Sequence, residues 1–333
     1  MSQRLLIICC LTAFLVGCDY ADEPKMLWTH SGLGTVAAAL SKNGEFALVA
    51  TVDNGTQFWD LDKNKINFRL KHHQRGENNL SAVAIAKDSN VAVTINGDSL
   101  VVWDTKTGKA YRFWKLTNYP LNIALSKTGK YALIGFADNN AQLFDLIHGK
   151  VLRVFEHADI VSAVALSEDG QYALIGSDDR AVRLWDLNTG ELKHQWFHKN
   201  RVNHVGLSPN GQYALSCAAQ SDAEIRSTES GELIANLKGK IPDIKFLHKN
   251  KFTITASTFS RDSSLLLTGS PPHNIQLWDV ESGKETASWF IPSRFFWRPT
   301  ASLVLALAFD EHNQHFIAQT TNGLGYQFLL SNT

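Results

Sequence analysis

The chain lacks net charge: 32 lysines and arginines are balanced by 32 aspartates and glutamates. No global field therefore draws it to nucleic acid or to anionic lipid, and only local patches could do so. Cysteine is scarce, with four in 333 residues, three of them among the first 18. Past that segment only Cys217 remains, so no disulfide can form within the rest of the chain. No Gly-rich loop opens a helix to cradle phosphate. Metal-ligand spacing is also missing. His72 and His73 are adjacent and would point to opposite faces of a strand, His194 and His198 straddle a strand end, and His312 and His315 share one turn. No cysteine or carboxylate cluster completes a ligand set, so neither a metal nor a cofactor is expected.

What is present is a period. A hydrophobic-Trp-Asp tripeptide recurs as Phe58-Trp59-Asp60, Val102-Trp103-Asp104, Leu184-Trp185-Asp186 and Leu277-Trp278-Asp279. The same spot is read at Trp59, Trp103, Phe144, Trp185, Arg226, Trp278 and Gln327, at spacings of 44, 41, 41, 41, 52 and 49. Seven copies made of short strands imply radial repetition, because each unit has an apolar face that it cannot bury alone. Within a copy, apolar residues alternate with period two between turns such as Ser-Glu-Asp-Gly at 167–170 and Asn-Thr-Gly at 188–190. That pattern reads as four antiparallel strands, a to d, with the tryptophan on strand c.

These tripeptides at this spacing resemble the WD-repeat family, over residues 25 to 330. The resemblance implies an all-β fold, a seven-bladed β-propeller of four-stranded antiparallel blades, and a role in binding other proteins. After Gln327 too few residues remain for a turn and an outer strand. Residues 25–30 stand before the first strand a as residues 151–157 stand before the fourth. They are expected to close the ring as strand d of the last blade, leaving no exposed lateral pair of blades.

In the family an Asp of the b–c turn, a His before strand a, a Ser or Thr of strand b and the Trp form a buried hydrogen-bonded set. The copy with His157, Ser177, Asp179 and Trp185 matches best. Asp53 and Asp138 occupy the place of Asp179, and His198 that of His157. A closed set of this kind reads as structural and not catalytic, since buried polar groups must find partners. Gly97-Asp98-Ser99-Leu100 spells the name of a serine esterase family, but it lies directly before a strand and not before a helix. It is read as a coincidence.

The first 18 residues concern sorting. Arg4 precedes an apolar stretch at 5–16, too short to span a bilayer comfortably, and Leu15-Val16-Gly17-Cys18 follows. That tetrapeptide resembles a bacterial lipobox. The resemblance implies a lipoprotein signal peptide at 1–17, a tether at 18–24 lipidated on Cys18, and a propeller at 25–333. Asp19 resembles the signal that keeps lipoproteins of enteric bacteria in the inner membrane. The expected location is the bacterial cell membrane, lipid-anchored on the periplasmic side. An ordinary secretory signal and a cytoplasmic chain are the alternatives.

Three long d–a connections, at 72–79, 238–252 and 291–301, break the period, and the resemblance implies that all three emerge on one face. The last contains Arg294, Phe295, Phe296, Trp297 and Arg298. Such residues suit a partner-binding hot spot, a membrane interface or a plug packed on the blades. A tether of about 20 Å at full stretch, leaving from the opposite face, favours the protein partner. The expectation is a scaffold for protein partners at the cell envelope, and not an enzyme. A propeller enzyme of the quinone-cofactor dehydrogenase or lactonase type is one alternative, and a component of an envelope protein assembly machinery is another.

Overall fold

A computed structural model describes residues 23–71, 80–238, 253–271, 274–292 and 302–330. Strand b explains why the units stack. In blade four it is Tyr172–Ser177, and every residue after the tyrosine is buried. A strand covered on both faces reads as a continuous apolar run. The outer strand Leu192–Phe197 of the same blade is mostly exposed and buries Trp196. Each repeat thus passes from a covered interior to a half-wet rim.

The described residues form seven four-stranded antiparallel sheets. Six follow chain order, from Thr35–Leu40 in blade one to Glu285–Phe290 in blade six. The seventh contains Val304–Phe309, His315–Thr320 and Leu324–Leu329, and its outer strand is Met26–Thr29. There Met26 faces Gln327 and Trp28 faces Gly325, so the ring closes with an N-terminal strand as expected.

The phase of the last repeat needs correction. Trp185 faces Ala173 and Trp103 faces Ala92, and the same register position in blade seven holds Phe328, opposite Phe316. Gln327 is one residue short, opposite Ile317. With neither a tryptophan nor an aspartate to mark the phase, the spacing left a one-residue ambiguity, and one residue moves a side chain to the other face.

Neighbouring blades are joined by large side chains of strand d. Trp28, Phe155, Trp196 and Trp289 are buried at this place. Burying such a side chain contributes about 2 kcal/mol. Several indoles also donate a hydrogen bond onward: Trp28 Nε1 to Leu61 O at 3.1 Å, Trp114 Nε1 to Leu146 O at 3.0 Å and Trp196 Nε1 to Ser216 Oγ at 3.0 Å. Glycine is required where blades approach most closely. A Cβ on Gly176 would lie 2.5 Å from Val202 Cγ1 of blade five, and one on Gly149, whose φ is +67°, would lie 2.3 Å from the Trp114 ring.

Candidate interaction surface

Each strand a begins on the face where the d–a connections arrive and runs along the central channel to the a–b turns. Near its start, six blades carry a register shift in the pairing with strand b, at Val36, Ser81, Leu121, Ser162, Asn203 and Leu305. A bulge of this kind re-aims one side chain out of the alternation. In blades four and five the re-aimed residue fastens the ring: Ser162 Oγ donates to Val202 O at 2.6 Å and Asn203 Nδ2 to Ile254 O at 3.1 Å. In blades one, three and seven it is apolar, and Val36 and Leu121 are exposed while Leu305 is half-buried. Val36 and Leu121 are joined on this face by Leu33, Val52, Tyr119 and Leu303, and the six are between 36% and 74% exposed.

The backbone beneath them is fixed. The residue before strand a accepts a hydrogen bond from the residue after strand b in five blades: Val52 N–H to Gly34 O, Ala137 N–H to Tyr119 O, Asp178 N–H to Ile160 O, Ala219 N–H to Arg201 O and Thr321 N–H to Leu303 O, at 2.8 to 3.1 Å. Aspartates of the b–c turn add a second tie. Asp53 accepts from Ser31 Oγ and, at 3.1 Å, from Gly32 N–H; Asp138 accepts from Asn118 Nδ2. The Ser31 hydroxyl, with the N–H groups around it, lowers the Asp53 pKa. The apolar residues therefore stand on a pre-ordered rim, which reduces the ordering cost of any contact made there.

In blade four the polar set is not the closed one expected: Ser177 Oγ donates to Asp159 O at 2.9 Å, and His157 Nε2 is buried without a hydrogen-bond partner among the described residues. Asp179 accepts from Ala181 N–H at 2.9 Å, Ala158 N–H at 3.2 Å and Arg183 Nη1 at 2.8 Å, and Asp179 N–H donates to Ser177 Oγ at 3.1 Å. Arg183 Nη1 also donates to His157 Nδ1 at 2.5 Å. Burial, reinforced by the Arg183 cation, pulls the His157 pKa down to about 4, so the ring is neutral at pH 7. Trp185 lies outside the set, and its buried Nε1 has no hydrogen-bond partner among the described residues. The reason is the facing strand. Trp103 and Trp278 donate to Thr94 Oγ1 and Thr268 Oγ1 at 2.8 Å, whereas the same place in blade four is Ile175.

Sequence reasoning missed His30. It stands two residues after Trp28, as His157 follows Phe155 and His198 follows Trp196, is 3% exposed and meets Trp59 edge-on at 4.6 Å. Burial lowers its pKa to about 4. The Trp-x-His spacing could have found it.

The channel encloses about 670 Å³. His204 Nε2 is 2.7 Å from Ser257 Oγ of the next blade, and burial brings its pKa down to about 4. Lys42 and Glu168 pair at 2.6 Å. Among the described residues no group of three or more His, Cys, Asp and Glu is placed to hold a metal ion. Ser99 is the first residue of strand Ser99–Asp104 and faces Asn96 across a tight hairpin, which is not a strand-to-helix elbow. Cys217 is buried, and desolvation raises its pKa to about 12. Cys18, Asp19, His72, His73 and the run from Arg294 through Phe295, Phe296 and Trp297 to Arg298 lie outside the described residues.

The family model described as WD domain, G-beta repeat matches residues 149–186 and 243–279. The first match opens at strand d of blade three and ends on strand c of blade four at Trp185-Asp186, so the sequence unit is offset by one strand from the blade. That offset is why an N-terminal strand must complete the last sheet. No curated protein matches the chain.

Proposed function

Because the chain is a WD-repeat propeller with an ordered apolar rim on one face, we propose that it is a binding scaffold whose protein partner docks where the d–a connections arrive. WD-repeat propellers in general bind protein partners, and the coarse role rests on that likeness of fold. The observation that carries the site is the pair of bulged residues Val36 and Leu121. Of the other four bulged residues, Ser162 and Asn203 clasp the next blade, Ser81 bonds Ile95 O and Leu305 is half-buried, while these two turn the more exposed apolar surface to solvent. Apolar residues gathered on a rigid rim are the usual material of an interface core. Replacing both by Asp should abolish partner capture with the melting temperature within a few degrees of the parent. Capture unchanged by the double substitution would sink the assignment.

The finer reading places this scaffold at a bacterial membrane, lipid-anchored through Cys18 on the periplasmic side, with Asp19 favouring the inner membrane. Leu15-Val16-Gly17-Cys18 supports it. The start of strand Met26–Thr29 fits as well: Lys25 Nζ lies 3.0 Å from His315 Nε2, at the end of the blade opposite the apolar rim. A short tether at 18–24 then holds the a–b turns toward the bilayer and the rim away from it. Palmitate labelling that persists in Cys18→Ala would refute the anchor. No reaction is proposed: among the described residues Glu168 is paired with Lys42 and His204 with Ser257.

A further inference from the structure

The opposite mouth of the channel is built differently. Its a–b turns are held by a repeated device in which a serine hydroxyl bonds the side chain two residues on, as Ser41 Oγ does to Asn43 at 2.9 Å and Ser167 Oγ to Asp169 at 2.6 Å. Blades one, four, five and six share this device, blade two has Ala86 and blade seven Asp310 in the serine's place, and in every blade the residue after that position lines the mouth. Blades one to three present Lys42, Lys87 and Lys127, blade four presents Glu168, and blades six and seven present Arg261 and Glu311.

We propose that this mouth binds a phosphate group, held by Lys87 and Lys127 with Lys42 behind them. The Lys42–Glu168 pair spans the mouth between blades one and four and divides it. On one side Arg261 and Glu311 approach to 3.9 Å. On the other stand Lys87 and Lys127, whose turns are tied by Asp88 N–H to Lys127 O at 3.0 Å. The acids near them are engaged: the Asp88 carboxylate accepts from Asn90 N–H at 3.1 Å, and Asp310 holds His315 at 3.0 Å. Lys87 has no ion-pair partner among the described residues. Its side chain is exposed at the mouth, and the protein around the lumen pushes its pKa down despite the pull of Glu168. Glu168 keeps one buried carboxylate oxygen without a partner.

The charges fit the ligand. Lys42, Lys87 and Lys127 against the carboxylates of Glu168 and Asp88 leave about one positive charge on this side of the mouth, which a phosphate offsets. The phosphate has two possible sources, a free phosphomonoester and a lipid headgroup. Strand Met26–Thr29 starts at this end of the ring, so a headgroup is within reach if the chain is anchored.

The test uses the full chain carrying Cys18→Ala, so that no lipid anchor contributes. Inorganic phosphate is titrated by calorimetry, and flotation is measured with phosphatidylcholine vesicles with and without phosphatidylglycerol. Lys87→Met and Lys127→Met should each weaken phosphate binding about tenfold or more, and Glu168→Gln should tighten it. Lys87→Met should leave the melting temperature within a few degrees of the parent, since the side chain is exposed and makes no ion pair among the described residues. Binding only to phosphatidylglycerol vesicles, lost in Lys87→Met, would support the site with the headgroup as its source. No binding of either probe, or binding indifferent to Lys87, would overturn the proposal.

Discussion

Lys42 Nζ of blade one and Glu168 Oε2 of blade four meet at 2.6 Å, joining blades three apart in the ring. The side chains are 30% and 14% exposed, so the pair is neither a screened surface contact nor a fully desolvated one.

Lys42→Met should therefore cost roughly 1–2 kcal/mol, because it leaves Glu168 part-buried and unpaired. The double variant Lys42→Met with Glu168→Gln should recover more than half of that loss. Urea midpoints of the three variants check it, and additive losses would show that the pair carries no coupling.

Trp185 has a donor without an acceptor, and Ile175→Thr would supply one as Thr94 does for Trp103. The control is Ile134→Thr in blade three, where the strand-c residue is Phe144 and no indole waits. Both lose a buried methyl group, and only the first gains a hydrogen bond. Ile175→Thr should be the milder by about 1 kcal/mol in equilibrium unfolding.

Acid should destabilise the ring through its buried histidines. The folded-state pKa of His157 is about 4, below the ordinary value of 6.5, because burial and Arg183 disfavour the imidazolium. Between those values the unfolded chain binds the extra proton, so stability is fully present above pH 6.5 and falls as pH drops toward 4. The loss from His157 is on the order of 3 kcal/mol. His157→Asn should lose less stability than the parent between pH 7 and 4.5; equal slopes in urea titrations would contradict this.

Gly149 and Gly170 have φ of +67° and +73°, but only Gly149 has a ring against its Cα. Gly170→Ala should cost about 1 kcal/mol for the left-handed backbone. Gly149→Ala should cost about 2–4 kcal/mol, since the Trp114 ring must also shift. Thermal melts of the two variants separate strain from collision.

Much of this architecture was legible in the chain, since Trp59, Trp103, Trp185 and Trp278 mark one register position and residues 25–30 close the ring as their spacing suggested. Phe328 was misphased because its copy lacks both landmark residues. His30 escaped because it stands eleven residues before Ser41, whereas His157 and His198 stand ten before theirs. The exposure of Val36 and Leu121 could not be read at all: in an alternating strand they look like any other apolar residue, and the bulge exists only in the pairing. Lys42, Lys87, Lys127 and Glu168 follow the repeat spacing, but that Lys42 finds Glu168 across the channel depends on ring closure.

The central claim is that the partner docks on the rim bearing Val36 and Leu121. Its most direct measurement is site-specific photocrosslinking in intact cells, with benzoylphenylalanine placed at Leu121, at Tyr119 and, on the outer rim, at Phe113, which is 64% exposed. A discrete crosslinked protein from Leu121 and Tyr119, absent from Phe113, is the predicted result. The same partner captured from Phe113 with none from Leu121 or Tyr119 would contradict it.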